Sequence, residues 1–264
     1  MGDQRAIGER FRALHAGPPF VIPNPWDVGS ARALVALGFP ALATTSSGFA
    51  FTLGRGDGAV TLDELAAHVA AICAAVDVPV SVDLENGFGP APSDAADAIA
   101  RAAAAGAVGG SIEDWDRDGA YLYGVEEATA RVAAAVEAAR ALPFPFTVTA
   151  RAENHIRGNP DLADTIARLQ AYERAGADVL YAPGLASAEE IAVVRAATSR
   201  PLNVLARPHL TAAEVFAAGA QRISVGGSLA WVAYSALAQA ATRIRDDGDL
   251  SVLGVRPPIE RWLA

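Results

Sequence analysis

The run Val80-Ser81-Val82-Asp83-Leu84-Glu85-Asn86-Gly87-Phe88-Gly89 decides how this chain is read. An apolar β-branched stretch ends in two carboxylates one residue apart, and a glycine-flanked turn follows. Alternate residues of a strand point to the same side, so Asp83 and Glu85 converge where the strand stops. Carboxylates held that closely repel unless a cation or a shared proton lies between them. The pattern returns at Gly110-Ser111-Ile112-Glu113-Asp114, and a cationic counterpart stands at Val148-Thr149-Ala150-Arg151-Ala152-Glu153. Strand ends carrying acid, acid and arginine point to a metal-plus-anion active site.

Outward from that run, apolar strand-like segments alternate with Ala-rich helical ones. Strands are expected at residues 20–23, 41–45, 78–83, 109–113, 146–151, 178–182, 202–206 and 222–225. Helices are expected at 62–76, 93–105, 125–141, 162–175 and 188–197, among others. Thr61, Ser93, Ser187 and Thr211 each precede a segment with an acid in its first turn, which is a capping signal. Ala105-Gly106-Ala107, Ala175-Gly176-Ala177 and Ala218-Gly219-Ala220 mark helix ends that lead into strands. Eight strands with intervening helices fit a single (β/α)8 barrel of the TIM type over residues 1–264 better than an open sheet. No Gly-rich phosphate turn follows an early strand, and Gly226-Gly227-Ser228 is only a short nest candidate. The last helix, about 229–245, runs into a Pro-containing tail ending Arg261-Trp262-Leu263-Ala264. Its apolar residues place 229–264 in a subunit interface.

At 264 residues and 52% hydrophobic, the chain can bury one large core. A net charge of −9 argues against nucleic-acid or anionic-membrane partners. No apolar stretch nears the roughly 20 residues that span a bilayer. The N-terminus lacks a signal-peptide layout, so a cytoplasmic location is expected. Cys73 is the sole cysteine and reads as a small buried hydrophobe. All 21 basic residues are arginine. Without lysine, Schiff-base aldolase chemistry and anchored pyridoxal phosphate are excluded.

Asp83, Glu85 and Glu113 are hard oxygen ligands suited to Mg²⁺ or Mn²⁺. The plainer alternative, that strand-end acids cap the next helix, weakens when three occur with a paired Asp-x-Glu. Arg151 offers a planar fork for an anion, or a rim salt bridge to Glu85 or Glu153. Thr44-Thr45-Ser46-Ser47-Gly48 closes the second strand with hydroxyls and a flexible backbone able to hold a carboxylate. His155 and His209 are acid–base candidates or rim hydrogen-bonders, whereas His15 and His68 read as surface helix residues. Asn154 and Arg157 are candidates for a second substrate carboxylate.

Taken together, Thr45-Ser46-Ser47-Gly48, Leu53-Gly54-Arg55-Gly56-Asp57-Gly58, Asp83-Leu84-Glu85-Asn86-Gly87-Phe88-Gly89, Ser111-Ile112-Glu113-Asp114 and Ala150-Arg151 resemble the isocitrate lyase/phosphoenolpyruvate mutase superfamily. The resemblance spans about residues 20–240. It implies a barrel whose last helix is exchanged between subunits, in a homodimer or homotetramer. It also implies Mg²⁺ bound directly by Asp83, with Asp57, Glu85 and Glu113 acting largely through water. The 2-oxo acid would be held by the metal, Arg151 and the backbone of Ser47, Gly48 and Phe49, with Thr45, Ser46 and Asn203 in the same substrate-binding set.

The departure is as informative. Lyases of the superfamily carry a Lys-Lys/Arg-Cys-Gly-His loop after the fourth strand, and the mutases a lysine in that gating loop. Here the region reads Asp114-Trp115-Asp116-Arg117-Asp118-Gly119-Ala120-Tyr121-Leu122-Tyr123, with no cysteine, histidine or lysine. Tyr121 or Tyr123 would replace the missing acid, or else pack against Trp115. A chelated metal stabilises the enolate left when a bond at C3 breaks. Decarboxylation needs little more, while retro-aldol or retro-Claisen cleavage also needs a base, for which Asp57 or Glu113 through water would serve. The expected function is a Mg²⁺-dependent carbon–carbon lyase or decarboxylase on a small 2-oxo or 2-hydroxy di- or tricarboxylate, oxaloacetate-like or methylisocitrate-like. The alternatives are carbon–phosphorus chemistry on phosphonopyruvate with Asp57 as nucleophile or base, and a non-catalytic 2-oxo acid binder.

Overall fold

The computed structural model describes residues 3–263. Eight parallel strands form one sheet: β1 (Phe20–Ile22), β2 (Leu42–Ala43), β3 (Val80–Asp83), β4 (Gly109–Glu113), β7 (Thr147–Arg151), β8 (Val179–Tyr181), β9 (Leu202–Leu205) and β10 (Arg222–Ser224). Two further short strands, β5 (Trp115–Asp116) and β6 (Tyr121–Leu122), pair as an antiparallel hairpin outside it. The sheet order β1-β10-β9-β8-β7-β4-β3-β2 brings its ends together, and the Ala43 amide donates to the Pro23 carbonyl across the seam (3.0 Å). With helices outside every crossover, this is a (β/α)8 barrel. Each expected strand is present, shortened by up to three residues at its ends.

Local chemistry sets the helix ends. Thr61 with Glu64 and Thr211 with Glu214 form reciprocal capping boxes, and Ser187 accepts from the Glu190 amide. Ser93 is not a cap. Its helix starts at Pro92, whose fixed φ suits the first helical position, and Asp94 accepts from the Ala91 amide (2.7 Å). Gly106, Gly176 and Gly219 take φ of 103°, 98° and 99°, the left-handed exit that a side chain resists.

Two of the helices beyond those named from the sequence shape the ends of the barrel. Gln4–Leu14 underlies the N-terminal mouth of the barrel, where Gly8 lies so close to Pro145 that a Cβ would stand 2.3 Å from its carbonyl oxygen. Ser46–Thr52 replaces the expected flexible turn, with Thr45 capping the Gly48 amide (3.4 Å). Gly48 is there for close approach: a Cβ would meet Thr45 and Trp26 at 2.7 and 2.9 Å.

His15 is also not a surface residue. It packs edge-on between Phe11 and Phe20, and its Nδ1–H points at the Phe11 carbonyl (2.9 Å). Burial and the adjacent Arg222 guanidinium push the imidazole down to about 3. His68 stacks on Phe49 at 3.8 Å, and burial lowers it to about 4. Cys73 is half-buried between two apolar clusters and raised to about 12 by burial, as suits an inert hydrophobe.

The helix Ser228–Asp247 buries only Ala230 and leaves Trp231, Val232 and Leu237 each about 60% exposed. The terminal helix Ile259–Leu263 turns back on Val28–Ala36 of the same chain, where Arg32 donates to the Leu263 carbonyl (2.8 Å). No described helix is long and apolar enough to cross a membrane.

Candidate active site

The barrel register explains which side chains meet. Glu113 is opposite Arg151 on neighbouring parallel strands, Asp83 is opposite Ser111, and Arg151 is opposite Tyr181. Asp83, Glu113, Arg151 and Tyr181 each end their strand, at the face where a barrel presents its working residues. Arg151 Nη1 lies 3.3 Å from Glu113 and 3.9 Å from Asp83, its Nε pairs with Glu153, and its guanidinium sits over the Tyr181 ring at 5.2 Å. The expected pairing of Arg151 is thus with Glu153 rather than Glu85.

The Asp-x-Glu element is held in an unusual backbone. Glu85 and Phe88 have φ of 50° and 64°, left-handed values that side chains resist and that cluster at functional sites. Buried Arg131 secures this loop by donating to the carbonyls of Asn86, Gly89 and Pro90, with its guanidinium over the Tyr123 ring at 4.6 Å. Asp83 accepts from the amides of Ser46 (3.4 Å) and Glu85 (3.3 Å), so the short helix Ser46–Thr52 aims its N-terminus at this carboxylate. Thr44 Oγ1 in turn accepts from the Asp83 amide (3.0 Å). Ser47 Oγ lies 3.2 Å from Thr45 Oγ1, and Phe49 is buried behind them.

Burial, reinforced by Asp83 and Asp57, pushes Glu85 up to about 7 despite Arg117 and Arg151 nearby. Glu113 is raised as well, by burial and by Glu153, Asp83 and Glu85, against the pull of Arg151. A cluster whose carboxylates hold their protons this tightly is short of positive charge, which is the electrostatic demand a divalent cation meets. Among the described residues no three acids, histidines or cysteines converge as a ready-made cage. That spacing still fits Mg²⁺, which keeps several waters and takes one or two carboxylates directly.

Other residues are placed less directly. Asp57 is half-exposed on the 54–61 loop, 3.9 Å from Arg117. Asn203 lies inside the barrel, where its amide donates to Ser224 Oγ (3.0 Å) and accepts from Arg222 Nε (2.8 Å). It lines a 50 Å³ hollow below Asp83 and Arg151, with Asn24, Tyr181 and Arg222. Tyr123 is fully buried. Its hydroxyl donates to Asp116 (2.8 Å) and accepts from Asn86 (3.0 Å), and burial raises it to about 12, so its proton is committed to the loop. Tyr121 is exposed on β6, edge-on to Tyr123. The Trp115 ring carries the Arg157 guanidinium at 4.5 Å.

Asp114 turns away from the mouth to Arg168 (2.9 Å), Tyr172 (2.5 Å) and the Glu153 amide (2.7 Å), a structural network. Asn154 is buried and bonded to Thr165 and to the carbonyls of Asn159 and Asp161, which leaves nothing for a substrate. Arg157 is held by Glu153 (2.9 Å). His209 bonds the Ala186 carbonyl at the rim (2.7 Å), while His155 Nε2 is buried without a partner among the described residues. The Gly226 amide is already taken by Asn24 (2.9 Å), so the nest is occupied from within. Arg117, Tyr181, Asn24 and Arg222 were absent from the expected site. Tyr181 was findable by the strand-end rule that located Arg151.

A (β/α)8 barrel with an acid–arginine cluster at the C-terminal strand ends has the architecture of an enzyme for small anionic substrates. The profile of the phosphoenolpyruvate phosphomutase family matches residues 11–245, and the chain belongs to that family, within the isocitrate lyase/phosphoenolpyruvate mutase superfamily. The crystal structure of a candidate lyase/mutase from Burkholderia cenocepacia J2315 is 52% identical, covers 98% of this chain and 96% of its own, and superposes with a TM-score of 0.95. An oxaloacetate decarboxylase of Bradyrhizobium diazoefficiens is 31% identical over 84% of this chain and 78% of its own. A 2-methylisocitrate lyase of Halalkalibacterium halodurans is 30% identical over 93% and 84%. A phosphonopyruvate hydrolase solved with oxalate and Mg²⁺ is 25% identical, with a TM-score of 0.85 over 96% and 92%.

Proposed function

We propose that the protein is a Mg²⁺-dependent carbon–carbon lyase, best read as a decarboxylase of an oxaloacetate-like 2-oxo diacid. The observation that carries the reading is the pairing of Arg151 with Glu113 and Asp83 under a hairpin that holds no thiol, amine or imidazole. A reaction that needs a strong loop acid is poorly served there, whereas loss of CO₂ from C3 needs chiefly charge stabilisation at the 2-oxo group. The oxaloacetate decarboxylase relative agrees with this choice, and the Mg²⁺–oxalate complex of the phosphonopyruvate hydrolase agrees with a metal-dependent oxo-acid site.

Asp83 would hold the metal directly, with Glu85, Glu113 and Asp57 reaching it through water. A bound Mg²⁺ supplies Lewis acidity for the developing enolate. Arg151 turns Nη1 toward the substrate's 2-oxo carboxylate, and the amide of Ser47 orients the same group from the helix start, where Thr45 already caps the Gly48 amide. Tyr181 and Asn203 floor the pocket and exclude bulk water. Asp57, half-exposed at the rim, positions the water whose proton reaches C3. Tyr123 acts as a positioning residue, fixing Asn86 beside the Asp-x-Glu turn.

A second reading follows from the family profile: phosphorus transfer with Asp57 as nucleophile or base. Purified protein assayed with oxaloacetate, 2-methylisocitrate, isocitrate and phosphonopyruvate, with Mg²⁺ and with EDTA, separates the two. Mg²⁺-dependent pyruvate and CO₂ without phosphate is expected, and phosphate release from phosphonopyruvate replaces this reading with the second. Pocket binding without any turnover points to a binder. The apolar helix Ser228–Asp247 is read as the subunit contact of a homodimer or homotetramer, tested by light scattering on a Trp231→Glu/Leu237→Glu variant.

A further inference from the structure

The hairpin over the mouth carries one cation, Arg117, between β5 and β6. Its guanidinium reaches inward, with Nη2 3.1 Å from Glu85 and Nη1 3.9 Å from Asp57. It lies flat on the 54–61 loop, where a Cβ on Gly58 would overlap Nη1 at 1.3 Å. That Nη1 is buried with no hydrogen-bond partner among the described residues. A charged N–H buried and unbonded forfeits stabilisation, so Glu85 and Asp57 hold it by charge and leave a donor unused. Arg151 pairs with Glu153 and Glu113 and Arg157 with Glu153 and Trp115, while the buried unbonded N–H of Arg131 and of Arg207 is Nε, so Arg117 alone of these leaves an Nη donor unused among the described residues.

Resting on the reading of this mouth as a metal and 2-oxo acid site, we propose that Arg117 is the specificity residue for the distal carboxylate of a diacid substrate. Its partners exchange as the site fills. In the free protein it neutralises Glu85 and Asp57. A divalent cation competes for those two carboxylates, and Arg117 then presents Nη1 and Nη2 as a fork to the substrate. Arg151 and Arg117 bracket the diacid from opposite sides of the acid cluster. The hairpin is thereby ordered by the substrate feature that distinguishes a diacid from a monoacid.

The exchange predicts effects of opposite sign in one variant, measured by titration calorimetry with Mg²⁺, oxalate and 3,3-difluorooxaloacetate. Arg117→Gln removes a competing cation, so Mg²⁺ should bind the free protein more tightly, by roughly three- to tenfold. With Mg²⁺ present, difluorooxaloacetate should bind about 10- to 100-fold more weakly, the worth of a charge-assisted hydrogen-bond pair. Oxalate, which has no distal group, should change by less than about twofold on the same principle. Arg117→Lys should restore the Mg²⁺ competition but only part of the diacid preference, because an ammonium lacks the fork. A purely structural Arg117 would weaken all three ligands together, and that result overturns the proposal. So does an unchanged ratio of difluorooxaloacetate to oxalate affinity. Failure of oxalate to bind wild-type protein with Mg²⁺ overturns the site reading and this inference with it, which separates the two failures.

Discussion

At the C-terminal mouth, Asp57, Asp83, Glu85, Glu113 and Glu153 crowd around Arg117, Arg151 and Arg157, with Glu85 and Phe88 in left-handed backbone. At the N-terminal mouth, the helix Gln4–Leu14 seats Phe11 against Phe20, Ile22, Ala41 and Val108, and neutral His15 accepts from the buried Arg222 (3.1 Å). One end concentrates repulsion and strain, and the other apolar burial and satisfied hydrogen bonds. The C-terminal end is thus built for chemistry and the N-terminal end for stability. Arg222 marks the border. Buried and lowered to about 10 by that burial, it spans from His15 to Asn203 and Thr149 beneath the active-site floor.

The contrast breaks if either end behaves like the other. Asp83→Asn should cut kcat/KM for oxaloacetate by about 10³-fold, the scale of a lost electrostatic stabiliser, without lowering the melting temperature. Phe11→Ala should do the reverse, costing about 4 kcal/mol in urea unfolding with kcat/KM unchanged.

The two ends should also answer pH with opposite signs. Glu85 holds its proton more tightly folded than unfolded, up to about 7. Its contribution is therefore present below the ordinary carboxylate range and lost as pH rises toward 7. In EDTA, Glu85→Gln should be more stable than wild type by about 3 kcal/mol at pH 7. The gap should close near pH 4, and Mg²⁺ should narrow it at pH 7. His15, lowered to about 3, is neutral in the fold, so stability is present above its ordinary pKa and lost as pH falls from there toward 3. At pH 5 the loss should be about 2 kcal/mol, absent from the pH slope of His15→Asn and indifferent to Mg²⁺.

Much of this was legible in the chain. The apolar runs and Ala-Gly-Ala exits give the eight strands, because a buried parallel strand and its helix exit leave marks in consecutive residues. Asp83, Glu113 and Arg151 follow from ending those strands. What the sequence hides is direction and reach. Arg222 begins a strand and points into the barrel, which no local pattern reveals. Arg117 becomes a site residue only once the hairpin folds over the mouth. Gly48 looks like a flexible turn, yet its role is close packing against Trp26 inside a helix. Asp114, beside Glu113, has the same chemistry but faces Arg168 and Tyr172 instead.

On this reading the C-terminal acids hold a divalent cation that binds a 2-oxo carboxylate. Oxalate titrated into the wild-type protein by calorimetry, with Mg²⁺ and then with EDTA, tests it most directly. Binding should require Mg²⁺ and vanish in Asp83→Asn. Equal binding in EDTA, or binding that survives the loss of Asp83, would contradict it.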